Sequence, residues 1–234
     1  MRRACEWPRF VNLTSKTQID RLGDRLRKGK FGDEELRRLD EFRRSFSGAY
    51  EEVVTAVRKA TKLEPTGRPA KSTTSIVEKL KRETMRLTQM QDIAGCRLVV
   101  QDIVKQDRVV GQLTAALPGA VVVDRRKEPS HGYRAVHIIA TAQGKPVEIQ
   151  VRTELQHLWA QLSEKLSDAF DPAIKYGGGE FEIQKAMGMD SKIIADAERQ
   201  ERTPRVETFM RTIRRTMEKR IAELEASIKG QAGN

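Results

Sequence analysis

The sequence predicts an α+β fold: a mixed β-sheet flanked by helices, with long helices in its N- and C-terminal parts. Three observations carry this. Apolar residues recur at helical spacing before about residue 87 and again after about residue 155. Between those limits, short β-branched runs cluster or alternate as strands do. A turn at Gln143-Gly144 joins two of the runs into a hairpin.

Residues 1–32 read as a basic leader. Within the first 31, nine Lys/Arg face three acids, which suits either a solvated arm or a contact with a phosphate backbone. From Asp33 to about Lys62, Leu36, Leu39, Phe42, Phe46, Tyr50, Val53 and Val57 form one stripe of a long amphipathic helix, with Asp33 as its N-cap. Two prolines and a glycine between Leu63 and Ala70 turn the chain into a loop. A second helix runs from Thr74 to about Leu87, capped by Thr73 or Thr74.

The period then changes. Ile93–Val100 reads as a strand, and a helix from about Val104 to Leu117 stops at Pro118-Gly119. Strands follow over Ala120–Val123, Tyr133–Ala142 and Val147–Arg152, then a helix from Leu155 to about Phe170. Asp171–Met189, with Gly177-Gly178-Gly179 inside it, reads as a flexible loop. After Pro204, the residues Val206, Met210, Ile213, Met217, Ile221, Leu224 and Ile228 make a heptad-like seam. It can pack on the domain or meet a partner helix in a homo-oligomer. The predicted units are therefore 1–32, a core domain over 33–170, a loop over 171–189 and a helical extension over 190–234.

Composition narrows the class. A net charge of +11 calls for an anionic partner, and 33% charged residues imply much solvated surface. No stretch approaches the roughly 18 consecutive apolar residues of a membrane span, and the polar start lacks a signal peptide's apolar region. A cytoplasmic protein without membrane insertion is expected. The two cysteines, Cys5 and Cys96, are too few for a disulfide framework or zinc cage; both read as reduced thiols, with Cys96 in the core.

The strand Val147–Arg152 alternates strictly, so Glu148, Gln150 and Arg152 share one face while Val147, Ile149 and Val151 share the other. That polar face is either solvated or a ligand surface. Asp92, at the start of the preceding apolar strand, favours a ligand: two carboxylates from neighbouring strands can hold Mg²⁺, which takes oxygen ligands and recruits phosphates. Arg125, Arg126, Lys127, Arg134 and Arg152 supply phosphate-pairing cations, and Gly132-Tyr133 offers a turn followed by a ring able to stack on a base. Acids, cations and an aromatic in this order are what phosphoryl or pyrophosphoryl transfer needs.

Four segments carry a resemblance. Gly67-Arg68 with Ser75-Ile-Val-Glu-Lys79-Leu-Lys-Arg82, Asp92-Ile-Ala-Gly-Cys-Arg97, Gly132-Tyr-Arg-Ala-Val-His137 and Val147-Glu-Ile-Gln-Val-Arg-Thr153 resemble the successive signatures of RelA/SpoT-type alarmone synthetases. They span roughly residues 67 to 160, with His157 just beyond the last. The resemblance implies a nucleotidyltransferase-like synthetase core, with 33–170 as the catalytic domain. It implies that Arg68 stacks on the adenine of ATP and that Lys71, Ser75, Lys79 and Arg82 hold its phosphates. Asp92 and Glu148 would bind Mg²⁺, with Glu148 also the general base. Tyr133, His137, Gln150 and Arg152 would shape the acceptor pocket. The implied reaction moves the β,γ-pyrophosphate of ATP to a ribose 3′-hydroxyl and releases AMP.

The pattern departs from the family just ahead of Gly132-Tyr133. Ser130 and His131 stand where alarmone makers usually carry a lysine and an asparagine, and Glu128 adds an acid. That bears on the acceptor. The family's toxic branch is understood to modify the 3′-CCA end of tRNA. The basic leader and the C-terminal residues Arg211, Arg214, Arg215, Lys219 and Arg220 suit such a polyanion. Free GDP or GTP is the alternative acceptor, and a catalytically inert RNA-binding module is the alternative class. His131, His137 and His157 are the only histidines and none is followed by aspartate, so a metal-dependent hydrolase half is not expected. An antitoxin or a separate hydrolase is the expected partner.

Overall fold

The computed structural model describes residues 15–232. Ser15 opens α1 (Lys16–Arg27) through a reciprocal capping pair with Gln18, and Leu22 and Leu26 bury its inner face. Asp20 accepts hydrogen bonds from the Thr88 amide and hydroxyl at 3.1 and 2.7 Å. Arg27 donates to the carbonyls of Leu80 and Met85. The leader is thus a docked helix over this stretch, not a solvated arm; the remainder of it, with Cys5, lies outside the described residues.

The single helix expected over 33–62 is two: α2 (Asp33–Arg44) and α3 (Ser47–Thr61). Gly32, not Asp33, is the N-cap of α2. The break falls at Ser45-Phe46, where the Ser45 hydroxyl donates to the Phe42 carbonyl at 2.6 Å and competes for a helical acceptor. Phe46 then buries itself edge-on against Phe42. The apolar stripe continues across the break, which is why periodicity alone did not reveal it.

Residues expected as loop contain β1 (Thr66–Arg68). Gly67 allows this, since a Cβ there would sit 2.5 Å from the Gly95 carbonyl oxygen. Next, α4 (Thr73–Arg82) starts one residue earlier than expected, with Ser72 as N-cap, and ends five residues short of Leu87, with Glu83 as C-cap. Then come β2 (Ala94–Val100), α5 (Ile103–Ala116), β3 (Val121–Asp124), β4 (Val136–Ala142) and β5 (Lys145–Thr153).

The sheet order is β1-β2-β5-β4-β3, mixed: β2 and β5 run parallel, and the other neighbours antiparallel. Ala94, Cys96, Leu98, Ile138, Val147, Ile149 and Val151 fill one face against α3 and α5. Cys96 is a buried free thiol, pushed up to about 12 by burial and the nearby Glu148 charge.

The opposite face bears the polar strand positions. Beside it lies a second core of α6 (Glu154–Ala169), α7 (Phe181–Arg199) and α8 (Pro204–Ala232), into which Tyr133 also packs. The loop expected over 171–189 ends at Glu180. The glycine run stops at Gly179, and α7 starts at Phe181, its Met187 buried and its carbonyl accepting from the Trp159 indole at 2.9 Å. The C-terminal seam is used within the chain: Met210 and Met217 are buried, and Val206, Ile213, Ile221 and Leu224 pack on the second core.

Candidate active site

Strand register assembles the polar face. Glu148 lies opposite Gly95 of β2 and Ile139 of β4, while Gln150 lies opposite Arg97 and His137. Since paired residues share a face, Glu148, Gln150, Arg152, His137 and Arg97 project from the same side. Five side chains there close a hydrogen-bonded ring. Glu148 Oε1 meets His137 Nδ1 at 2.7 Å, and His137 Nε2 meets the Tyr133 hydroxyl at 2.9 Å. Arg152 Nη2 donates to that hydroxyl at 3.1 Å and to Gln150 Oε1 at 2.7 Å. Gln150 Nε2 donates to Glu148 Oε2 at 2.7 Å.

The ring assigns its own protons. Arg152 can only donate, so the Tyr133 oxygen accepts from it, and the Glu148 carboxylate can only accept, so His137 donates to it from Nδ1–H. Burial pushes the Glu148 carboxyl up, but His137 and Gln150 outweigh it and hold the group below the usual glutamate range. Glu148 is therefore a carboxylate at neutral pH. The Tyr133 phenol is pushed up by burial and stays protonated.

Asp92 sits two residues ahead of β2. Lys71 Nζ reaches its Oδ2 at 2.6 Å and Lys79 Nζ its Oδ1 at 2.9 Å. Burial raises this carboxyl, and the two ammonium groups more than reverse the effect. Lys71 is positioned by its amide, which donates to the Ile93 carbonyl at 2.6 Å, and Lys79 lies on α4. Ser75 is in the first turn of the same helix, where free amides favour an anion. Asp92 and Glu148 are electrostatic neighbours, since the charge of Asp92 raises the Glu148 carboxyl. Among the described residues no three His, Cys, Asp or Glu cluster as a metal cage. Two carboxylates fit Mg²⁺ when phosphates and water complete its oxygen shell.

The structure thus brings together Glu148, His137, Tyr133, Gln150 and Arg152, and separately Lys71, Lys79 and Asp92. Arg68 is exposed on β1 in register with Gly95, on the Glu148 side of the sheet. Arg125 and Lys127 are exposed. Arg126 and Arg134 do not join the ring. Arg126 is taken by Asp124 and Asp107 at 2.8 and 2.7 Å, and Arg134 donates to Ser191 Oγ and the Arg126 carbonyl. Of the basic C-terminal residues, Arg214 pairs with Glu154 and Arg220 with Asp190, so both bind α8 to the domain.

Two residues escaped the sequence reading. Arg97 stands in an otherwise apolar strand on the ligand face, and that alternation was the available signal. Tyr176 places its ring 3.5 Å from the Arg82 guanidinium carbon, a contact no local pattern announces. Beside the ring, several buried nitrogens have no hydrogen-bond partner among the described residues: Arg97 Nε, Arg152 Nε and Nη1, and His157 Nδ1. Burial and the neighbouring Arg97 and Arg152 charges push His157 down to about 4, so it is neutral. Unpaired buried donors are costly and mark where an anion or water completes the structure.

The mixed sheet with its flanking helices matches the fold of small alarmone synthetases. The chain overlays the small alarmone synthetase 1 of Bacillus subtilis bound to its product pppGpp with TM-score 0.55 and 24% identity, over 78% of this chain and 99% of that one. It overlays smu.1046c of Streptococcus mutans with TM-score 0.52 and 28% identity, over 79% and 98%. Residues 67–168 match the family model described as "Region found in RelA / SpoT proteins". The GTP pyrophosphokinase YjbM of Bacillus subtilis is 34% identical over 117 residues, 44% of this chain and 54% of that protein. The Mycobacterium tuberculosis protein Rv1366 is 38% identical over 111 residues, 46% of this chain and 41% of that protein. The chain therefore spans about half the length of these curated relatives. No helix among the described residues is long and apolar enough to cross a membrane.

Proposed function

We propose that this chain is a Mg²⁺-dependent pyrophosphokinase moving the β,γ-pyrophosphate of ATP to a ribose 3′-hydroxyl. The observation that carries the reading is Glu148, held ionised by the His137 hydrogen bond beside the lysine-clamped Asp92. In this reading the 3′-oxygen attacks the β-phosphorus and its proton passes to Glu148. The bond between that phosphorus and the oxygen bridging to the α-phosphate breaks, and AMP leaves with the oxygen. Lys71, Lys79, Ser75 and Arg82 face the donor phosphates, and Arg68 the adenine. Asp92 and Glu148 would hold Mg²⁺, which would supply neutralisation of the phosphate charge. Tyr133, Gln150 and Arg152 line the acceptor side.

The acceptor we propose is the 3′ end of tRNA, which would make the protein a growth-inhibiting toxin with an antitoxin or a separate hydrolase as counterpart. On α8, Arg205, Arg211 and Arg215 are exposed without acidic partners among the described residues, as a polyanion surface requires. The second reading, GDP or GTP as acceptor, is favoured by the relative named as a GTP pyrophosphokinase. Incubating the protein with γ-³²P-ATP, Mg²⁺ and either GDP, GTP or bulk tRNA separates the two. Label in tRNA supports the first acceptor and label in a guanine nucleotide the second. No transfer to any acceptor that depends on Glu148 would leave an RNA-binding module.

A further inference from the structure

The segment Asp171–Glu180 is built, not slack. The Asp171 carboxylate accepts from the Ala173 amide at 2.8 Å, and backbone turns follow from Ile174 to Asp171, Tyr176 to Ala173 and Gly178 to Ala173. Ile174 is buried in the second core. Gln184 Nε2 donates to the carbonyls of Ile174 and Gly178 at 2.8 and 2.6 Å, and the Lys175 amide donates to Ser167 Oγ at 3.1 Å.

This fixed segment touches both halves of the site. At Gly177, with φ +83°, a Cβ would overlap the His131 ring, so only glycine lets the segment close against the residue preceding Gly132-Tyr133. On the other side, Tyr176 covers one face of the Arg82 guanidinium at 3.5 Å. Arg82 lies one turn beyond Lys79, whose ammonium clamps Asp92. The contact is no core packing, because Tyr176 is 38% exposed and the Arg82 side chain 31%. The Tyr176 hydroxyl makes no hydrogen bond among the described residues, so the ring face is the working part.

We infer that Tyr176 is a positioning residue for the donor nucleotide, holding Arg82 face-on so that its N–H edge meets the triphosphate. A planar guanidinium stacked on one face keeps its donor edge accessible; here Nη2 donates to Glu83 Oε1 at 3.0 Å, a partner that the triphosphate would replace. Orienting it before binding removes the entropy of ordering a long side chain when ATP arrives. The same segment, through Gly177 and His131, sets the donor helix in register with the acceptor loop. The inference rests on the reading that Arg82 contacts ATP.

The test is calorimetric titration of the protein with Mg²⁺ and a non-hydrolysable ATP analogue, alongside steady-state kinetics. Tyr176→Ala should weaken analogue binding about tenfold and raise the KM for ATP alike, leaving the acceptor KM unchanged. Tyr176→Phe should bind as the parent does, since it keeps the ring. Arg82→Ala is the control for the underlying reading. If it binds the analogue as the parent does, Arg82 is not a donor contact and both readings fall. If Arg82→Ala weakens binding but Tyr176→Ala does not, only the positioning role is overturned. Failure of Phe to rescue, or an equal loss in every kinetic constant, would also overturn it.

Discussion

Charge is neutralised in different ways on the two sides of the site. On the donor side Asp92 has two ammonium partners, at 2.6 and 2.9 Å. On the acceptor side Glu148 has no permanent cation in direct contact; the His137 imidazole and the Gln150 amide hold it, and Arg152 acts at one remove through Gln150. Ion pairs between flexible lysines and a carboxylate can be exchanged, so Lys71 and Lys79 can turn from Asp92 to incoming phosphates while a cation takes their place. A closed ring of short hydrogen bonds resists rearrangement and keeps the base aimed before substrate arrives. On the proposed function, the donor side would swap partners and the acceptor side would stay put.

Breaking the fixed side should have the largest effect. Glu148→Gln removes the base while leaving His137 an acceptor oxygen, so kcat should fall about 10³-fold. ATP-analogue binding, read by calorimetry, should change little. His137→Ala removes the hydrogen bond that holds Glu148 ionised, and the Glu148 carboxyl then rises. The acid limb of the pH–rate profile should move to higher pH, because ionised Glu148 is lost earlier as the pH falls. An unmoved limb would detach His137 from the base.

On the exchangeable side, Lys71→Met with Lys79→Met leaves a largely buried carboxylate unpaired, at a cost of roughly 1–3 kcal/mol in denaturant unfolding. The sign with pH follows from the lowered Asp92 carboxyl. In the parent protein its contribution is present above the ordinary aspartate range and lost as the pH falls through the folded value. In the double variant only burial acts on Asp92 and raises its carboxyl, so the dependence should reverse, stability rising as the pH falls through that raised value.

The smallest effect concerns His157. Its imidazole is pushed from 6.5 to about 4, so between those values the unfolded chain binds more protons and stability rises with pH. His157→Phe should flatten thermal midpoints across that window. An unchanged slope would show that His157 does not carry it.

The same contrast decides what was legible in the sequence. Strict alternation over Val147–Arg152 revealed the fixed side, because a strand's period of two assigns faces directly. The polar face followed from that, whereas the sheet order and the register of Glu148 against β2 and β4 emerge only from the fold. Asp92 was legible as an acid at a strand boundary, but its two lysine partners came only through the family resemblance. The rest depended on contacts distant in sequence. Arg126 was counted among the phosphate ligands until Asp107, 19 residues earlier in the chain, was found to hold it. The break at Ser45-Phe46 hid beneath an unbroken apolar stripe. Tyr176 meets Arg82 across 94 positions of chain, and the three glycines beside it read as looseness where they permit a close approach.

The central claim is transfer of a pyrophosphoryl group initiated by Glu148, and the product leaving ATP tests it most directly. With ATP, Mg²⁺ and the acceptor that takes up label, resolving the released nucleotides by anion-exchange chromatography should give AMP in equal amount to modified acceptor, and none of either with Glu148→Gln. Release of inorganic pyrophosphate with AMP left on the acceptor, or AMP formation that survives Glu148→Gln, would contradict the account.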